Sequence, residues 1–447
     1  MTTAAAAMAA STISGTRAEE SGGLARNVSE ASGPLADYVR RADPATRFNT
    51  VGWGETCRGQ WVTGLLTSQV WQGTEWIHEL SLFLPTDSLD RGPMLLWIDG
   101  GGSGRLPEDG QWEPTESLQK LAHVAIAAGL PAAVVRQVPF QPMFDGLVED
   151  GLIAHSFVQF VRTGDMTWPL LLPMVKSAVE AMNVAEREAG SRWGVSVKGF
   201  VATGASKRGW TTWLAAAVDD RISGLVPAVI DMLSMEQHVG LQRASFGGFS
   251  DKLVDYTSRG IERLFGTPRG RELIGIVDPL AYRDRLVQPK VIALGTNDPY
   301  WPLEACGLYY DKLKGPRWVS YCPNAGHGLP PERLGGLVAA TGRHAAGLED
   351  LPELPWSVEH DGDAKVCHVA PMNEAVEKAL AWTAHAPSRD FRTAEWKAVA
   401  AERKGDGWRL ALAKPTSGFT AGLIELSFER KPLPLVLTTG VAVVGTT

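Results

Sequence analysis

Six short apolar runs constrain this 447-residue chain more than any other feature: MLLWIDGGGSG, PAAVVRQV, VKGFVATGAS, ISGLVPAVID, PKVIALGTND and RWVSYCPNAGHG. Each is nearly continuous rather than alternating, the pattern of a strand buried on both faces, so together they predict a parallel sheet. Helix-patterned segments stand between them. ESLQKLAHVAIAAG is Ala-rich, and LLLPMVKSAVEAMNVAERE carries an apolar stripe with charges toward its end. Repetition of strand, turn and helix makes the expected class α/β, a mostly parallel sheet covered on both faces.

The flanking sequence reads differently. WVTGLLTSQVWQG and WIHELSLFLPTD alternate apolar and polar residues around Gly-containing connections, which predicts early antiparallel strands. The mixed stretch between Asp231 and Val291 is too long for an ordinary connection and is expected to form a helical lid at about 232–288. After about Leu351, short strand-like runs separated by Gly and Pro predict a small C-terminal β-sandwich over 351–447. The α/β unit then occupies 36–350. Residues 1–35, rich in Ala, Ser and Gly, are expected to be a disordered lead-in, because they cannot bury enough surface to offset the entropy of ordering.

Composition narrows the function classes. With 44% hydrophobic and 21% charged residues, the chain is ordinary globular protein. A net charge of -7 without a basic run argues against a nucleic-acid partner. No apolar run is long enough to span a bilayer. The N-terminus lacks the basic and Leu- or Phe-rich regions of a secretory signal, which favours a cytoplasmic over an exported setting. Cys57, Cys306, Cys322 and Cys367 are too far apart for a structural zinc site and read as core residues, and their spacing leaves a Cys306–Cys322 bridge open.

Chemistry enters at GFVATGASKRGWTTW, Gly199 to Trp213, where an apolar strand runs into a helix through small residues around Ser206. Such a turn lifts one side chain out of a sheet and suits a nucleophile. A serine hydroxyl needs an imidazole to take its proton and a carboxylate to orient that imidazole. Asp298 ends the strand in VIALGTNDPYW, and His327 sits between glycines after the next strand, in the chain order Ser, Asp, His of an α/β-hydrolase. Each taken alone has a plainer reading as a turn residue. The conjunction, at the carboxyl ends of successive strands, makes Ser206, Asp298 and His327 the candidate triad. Asp231, which ends the preceding strand, is the alternative acid, with helix capping at the lid as its structural reading.

The oxyanion of acyl transfer needs preorganised donors, each worth roughly 3 kcal/mol. The Lys207 amide, directly after the serine, is one candidate. The Gly101 amide in DGGGSG is the other, against the reading of that stretch as a flexible turn. The strict elbow pattern has Gly two places after Ser, whereas Arg208 stands there and Gly209 follows. Lys207 and Arg208 offer positive charge toward an oxyanion or an acidic substrate; equally, Arg208 pairs with a carboxylate beneath the turn. Trp210 and Trp301 are candidate pocket walls, although most tryptophans in such a chain are core.

LADYVRRADPATRF, QVPFQPM, EDGLIAHSF, WPLLLPMVKSAVEAM, GASKRGWTTWLAAAVDDRI, VPAVIDML, DPLAYRDRL, GTNDPYW and PNAGHGL together resemble the PhoPQ-activated pathogenicity-related protein family. SRDFRTAEW and LVLTTGVAVV extend the likeness into the tail. The resemblance implies an α/β-hydrolase fold with the triad on Ser206, Asp298 and His327. Phe140 in QVPFQPM stands where a smaller polar residue is expected, which makes it a candidate substrate contact. The Ser-x-x-Gly turn is also locally similar to that of glucuronoyl esterases, whose basic residue after the serine has its counterpart in Lys207.

The expected activity is therefore a serine hydrolase acting on a carboxylic ester or amide of a small-molecule or peptide substrate, with no cofactor and no metal. A peptidase for short peptides and a catalytically silent scaffold of the same fold are the alternatives. Oligomeric state is not legible.

Overall fold

The computed structural model describes residues 11–12, 31–105, 115–372 and 374–445. Most of the expected disordered lead-in lies outside the described residues, and helix α1 (Pro34–Arg40) begins at its end. The short β1 (Ser11–Thr12) pairs with β2 (Arg47–Thr56), and β3 (Gly59–Trp71) and β4 (Thr74–Pro85) continue antiparallel, as their alternation predicts. Gln72 and Gly73, both at positive φ, make the two-residue turn between β3 and β4, a conformation whose twist suits a tight hairpin.

The apolar runs form β5 (Arg91–Ile98), β6 (Ala132–Val135), β7 (Ser196–Ala205), β8 (Ile222–Ala228), β9 (Lys290–Gly295) and β10 (Arg317–Cys322). All six are mutually parallel in the order β6-β5-β7-β8-β9-β10, and β4 joins β6 antiparallel. Every residue of β6 and β9 is buried, which accounts for their unbroken apolar sequence. Helices α4 (Leu171–Trp193) and α5 (Lys207–Val218) cover one face, while α2 (Glu116–Ala128) and α10 (Pro331–Ala345) cover the other. Helix α3 (Glu149–Thr163) follows the loop after β6.

The insertion between β8 and β9 is helical, as expected: α6 (Met235–Phe246), α7 (Val254–Thr257), α8 (Ile261–Leu264) and α9 (Pro268–Val277). The turn into α6 is capped by Asp278, whose carboxylate accepts from the Ser234 and Met235 amides; Asp231 does not cap it. No helix among the described residues is long and apolar enough to cross a membrane. All four cysteines are free.

The tail folds into two facing antiparallel layers. One contains β11 (Trp356–Asp361), β12 (Ala364–Val369), β15 (Glu402–Lys404) and β16 (Gly407–Leu412). The other contains β13 (Lys378–Ala386), β14 (Lys397–Ala400), β17 (Phe419–Phe428), β18 (Leu435–Thr438) and β19 (Ala442–Gly445). This second layer extends the main sheet, because β18 pairs with β10 at Val319 and Thr438. The physical reason is the exposed edge that β10 would otherwise present, a row of unpaired N–H and C=O groups. Ser320 donates to the Val436 carbonyl, and Arg333 pairs with Glu425 across the same seam.

Candidate active site

Ser206 occupies the corner between β7 and α5 with φ 58 and ψ -127, a left-handed conformation that costs a non-glycine residue strain. Its amide donates to the Ala228 carbonyl of β8 at 2.8 Å, and its carbonyl accepts from the Trp210 amide at 3.0 Å. The glycines are there for space. A Cβ on Gly204 would lie 2.7 Å from the Arg208 carbonyl, and one on Gly209 would lie 2.9 Å from the Gly204 oxygen and 3.0 Å from the Ala228 oxygen. Glycine is thus needed at Gly209, where the helix backs onto the strands, and not at Arg208.

His327 and Asp298 come from the loops after β10 and β9. His327 Nε2 lies 2.8 Å from Ser206 Oγ, and His327 Nδ1 lies 2.8 Å from Asp298 Oδ2. A carboxylate can only accept, so the pair places the proton on Nδ1 and turns the Nε2 lone pair to the serine hydroxyl. Asp298 is buried, and its second oxygen accepts from the Tyr300 amide at 2.8 Å. The Tyr300 ring lies against the imidazole with centroids 4.2 Å apart.

Asp231 takes a different partner. Its Oδ1 accepts from the Tyr309 hydroxyl at 2.7 Å, and burial, reinforced by the neighbouring Asp298 charge, pushes its carboxyl up to about 8. The imidazole bonds Asp298.

The two loops are braced from the tail. Asn297 Nδ2 donates to the carbonyls of Phe391 and Ala394, at 3.2 and 2.7 Å. Asn324 exchanges two hydrogen bonds with the Trp396 backbone, at 3.0 and 2.8 Å. The segment just before β14 therefore fixes the loops that carry Asp298 and His327. Sequence reading missed both asparagines, since a lone Asn in a loop carries no sign of a partner 72 residues away.

The basic pair after Ser206 is neutralised locally. Arg208 forks onto Glu149 through Nη1 and Nη2 at 2.8 and 2.7 Å, and the buried Lys207 Nζ lies 2.8 Å from Glu149 Oε2 and 3.2 Å from Asp150 Oδ1. Burial would raise the Glu149 carboxyl, but Arg208 and Lys207 outweigh it and hold it near 2. Gln141 completes the cluster, donating to Glu149 Oε1 and accepting from the Glu149 amide. Of the two readings of Arg208, the carboxylate beneath the turn is the one present. Glu149 and Asp150 escaped notice because acidic residues in a first helical turn are ordinary helix-end charge.

The Lys207 amide is at the first position of α5, where a helix N–H has no acceptor within the helix. Gly101, at φ 131, lies in the loop after β5. That loop abuts the elbow: a Cβ on the adjacent Gly100 would sit 2.6 Å from the Arg208 guanidinium.

A chamber of about 100 Å³ opens beside Ser206, roofed by the inserted helices. Trp210 and Trp301 line it, with Met235, Phe249 and Ile261 among its other walls. Arg208 does not line it, and Phe140 packs against the core instead.

This strand order, with parallel strands behind an antiparallel start and a strained serine at a strand-to-helix corner, defines an α/β-hydrolase fold. The chain belongs to the PhoPQ-activated pathogenicity-related protein family, which it matches over residues 35–392. It is 29% identical over 435 residues to autocrine proliferation repressor protein A of Dictyostelium discoideum, covering 89% of this chain and 86% of that one. Among solved structures it is similar to acetyl xylan esterase 1 from Thermoanaerobacterium sp., at TM-score 0.46 and 15% identity, covering 71% of this chain and 92% of that chain. It is also similar to a puromycin hydrolase, at TM-score 0.40 and 16% identity, covering 69% and 48%.

Proposed function

We propose that the protein is a serine hydrolase that cleaves a carboxylic ester or amide through an acyl-enzyme on Ser206. The observation that carries this reading is the continuous chain Ser206 Oγ, His327 Nε2, His327 Nδ1, Asp298 Oδ2, with both links at 2.8 Å. Ser206 attacks the carbonyl carbon while His327 takes its proton, and Asp298 holds the ring in the tautomer that can accept. The amides of Lys207 and Gly101 receive the oxyanion. His327 then protonates the leaving group, and water, deprotonated by the same nitrogen, releases the acid and restores Ser206.

Ester is the first substrate to try, because its better leaving group demands less of the site. The test is hydrolysis of p-nitrophenyl acetate beside a panel of short peptide amides. Turnover that disappears in Ser206→Ala with an unchanged circular dichroism spectrum supports the reading. Equal turnover in both proteins contradicts it.

A further inference from the structure

The chamber beside Ser206 takes its apolar walls from two layers of the molecule. Trp210 comes from α5, Ile230 and Trp301 come from the loops after β8 and β9, and Met235, Val239 and Phe249 come from α6 and the turn beyond it. Its polar walls are largely turned to one another. Asp150 is bound to Lys207 and accepts from the Tyr256 hydroxyl at 3.1 Å. His238 donates to the Asp231 carbonyl, Thr257 donates to the Leu253 carbonyl, and Gln242 is shared between the Tyr300 carbonyl and the Ser250 amide.

Which part of a substrate enters this space follows from the place of His327. In acyl transfer the imidazole gives its proton to the leaving group, so the leaving atom must lie beside His327 Nε2. Ser206 and Lys207 are walls of the chamber; His327 is not, and its side chain is 23% exposed. The leaving group therefore departs toward solvent, and the acyl chain is the part that points into the chamber. We infer that the chamber is the acyl pocket, and that the protein acts on esters or amides of short, neutral, aliphatic carboxylic acids with little restriction on the leaving group. This assignment deepens the reading of Ser206 as the nucleophile and rests on it.

Size and charge follow from the walls. An apolar cavity of roughly 150 Å³ holds a benzene ring, so this smaller chamber of about 100 Å³ takes about four carbons, the chain of a butanoyl or pentanoyl group. An acyl chain ending in a carboxylate would lose its hydration among apolar side chains and find Lys207 already matched by Glu149 and Asp150. Val239 stands one turn after Met235 on the same face of α6, so it bounds the chamber from the lid and belongs to neither the elbow nor the triad.

The test varies the acyl chain at a constant leaving group. kcat/KM is measured for p-nitrophenyl acetate, butanoate and octanoate and for mono-p-nitrophenyl succinate, with wild type, Val239→Phe and Val239→Ala. Tryptophan fluorescence follows binding of methyl acetate, butanoate and octanoate to Ser206→Ala, and thermal melts confirm that each variant is folded. At about fourfold for each buried methylene, butanoate should exceed acetate by about tenfold or more. Octanoate should fall below butanoate, and the charged succinate ester should be slowest. Val239→Phe should bring the butanoate-to-acetate ratio toward parity, and Val239→Ala should raise octanoate relative to butanoate. Turnover with a butanoate-to-acetate ratio near one in wild type, or with ratios unchanged in both Val239 variants, overturns the acyl-pocket assignment and leaves the hydrolase reading in place. If wild type turns over no ester while Ser206→Ala still prefers methyl butanoate, the hydrolase reading is what fails, and the selectivity of the chamber for a short aliphatic chain stands.

Discussion

Arg208 and Glu149 form a parallel two-bond fork at 2.8 and 2.7 Å, two residues past Ser206 and one residue past a buried lysine that shares the same carboxylate. The fork ties the first turn of α5 to the start of α3, so the strained corner at Ser206 is clamped from outside the sheet. Arg fits such a site because its planar head matches a carboxylate in two places, which Lys cannot do.

Glu149→Gln leaves Arg208 facing a neutral amide and Lys207 with Asp150 as its one remaining carboxylate. It should lower kcat/KM on p-nitrophenyl acetate about 10- to 100-fold. Arg208→Lys, which keeps the charge and loses the fork, should fall between this variant and wild type. Breaking a fully buried pair costs roughly 3–5 kcal/mol; Glu149 is partly exposed, so a loss of about 2 kcal/mol is expected, read as a lower urea midpoint.

The choice between the two acids is open to a direct comparison. Asp298→Asn should lower kcat about 10³- to 10⁴-fold, the scale set by losing the correct imidazole tautomer. Asp231→Asn, whose parent carboxyl bonds Tyr309, should stay within about threefold of wild type. Steady-state kinetics on one ester decides it, and the opposite ranking would make Asp231 the orienting acid.

Asp231 also predicts a pH signature in stability. Its folded carboxyl, raised by burial to about 8, keeps a proton that the unfolded chain releases near 3.8. The folded state is therefore favoured at the acid end, and this contribution is lost as pH rises from about 4 to about 8. Urea midpoints of wild type and Asp231→Asn measured across that range should diverge with rising pH, the variant gaining on wild type by on the order of a few kcal/mol. The buried His78 and His238, pushed down to about 4, act in the other sense by destabilising the fold as pH falls from 6.5 toward 4. They are common to both proteins and cancel in the difference.

Asn324→Ala removes the two bonds to the Trp396 backbone and frees the loop that carries His327. A base displaced by a fraction of an ångström slows chemistry more than it weakens substrate binding. kcat should fall about tenfold with KM changed less than twofold. An equal rise in KM with kcat unchanged would place Asn324 in substrate binding instead of loop positioning.

Much of this arrangement was legible in the chain. Unbroken short apolar runs bounded by Pro and Gly, such as VIALG, read as strands buried on both faces, and β9 is such a strand. Gly204 and Gly209 marked the crowded corner, and the order of Ser206, Asp298 and His327 placed three side chains on one rim. What escaped was set by partners distant in sequence. Nothing near Glu149 announces Arg208, and nothing near Asn324 announces Trp396. The tail's alternating runs revealed strands but not their neighbour, so the pairing of β18 with β10, and the continuity of the sheet that follows from it, had to come from the structure.

Labelling with a fluorophosphonate, followed by peptide mass mapping of wild type, Ser206→Ala and His327→Ala, decides whether Ser206 is a nucleophile activated by His327. One phosphonylated serine, Ser206, is expected in wild type, none in Ser206→Ala, and labelling slowed at least about 100-fold in His327→Ala. Folded wild-type protein that stays unlabelled, or an adduct on any other residue, would contradict that role.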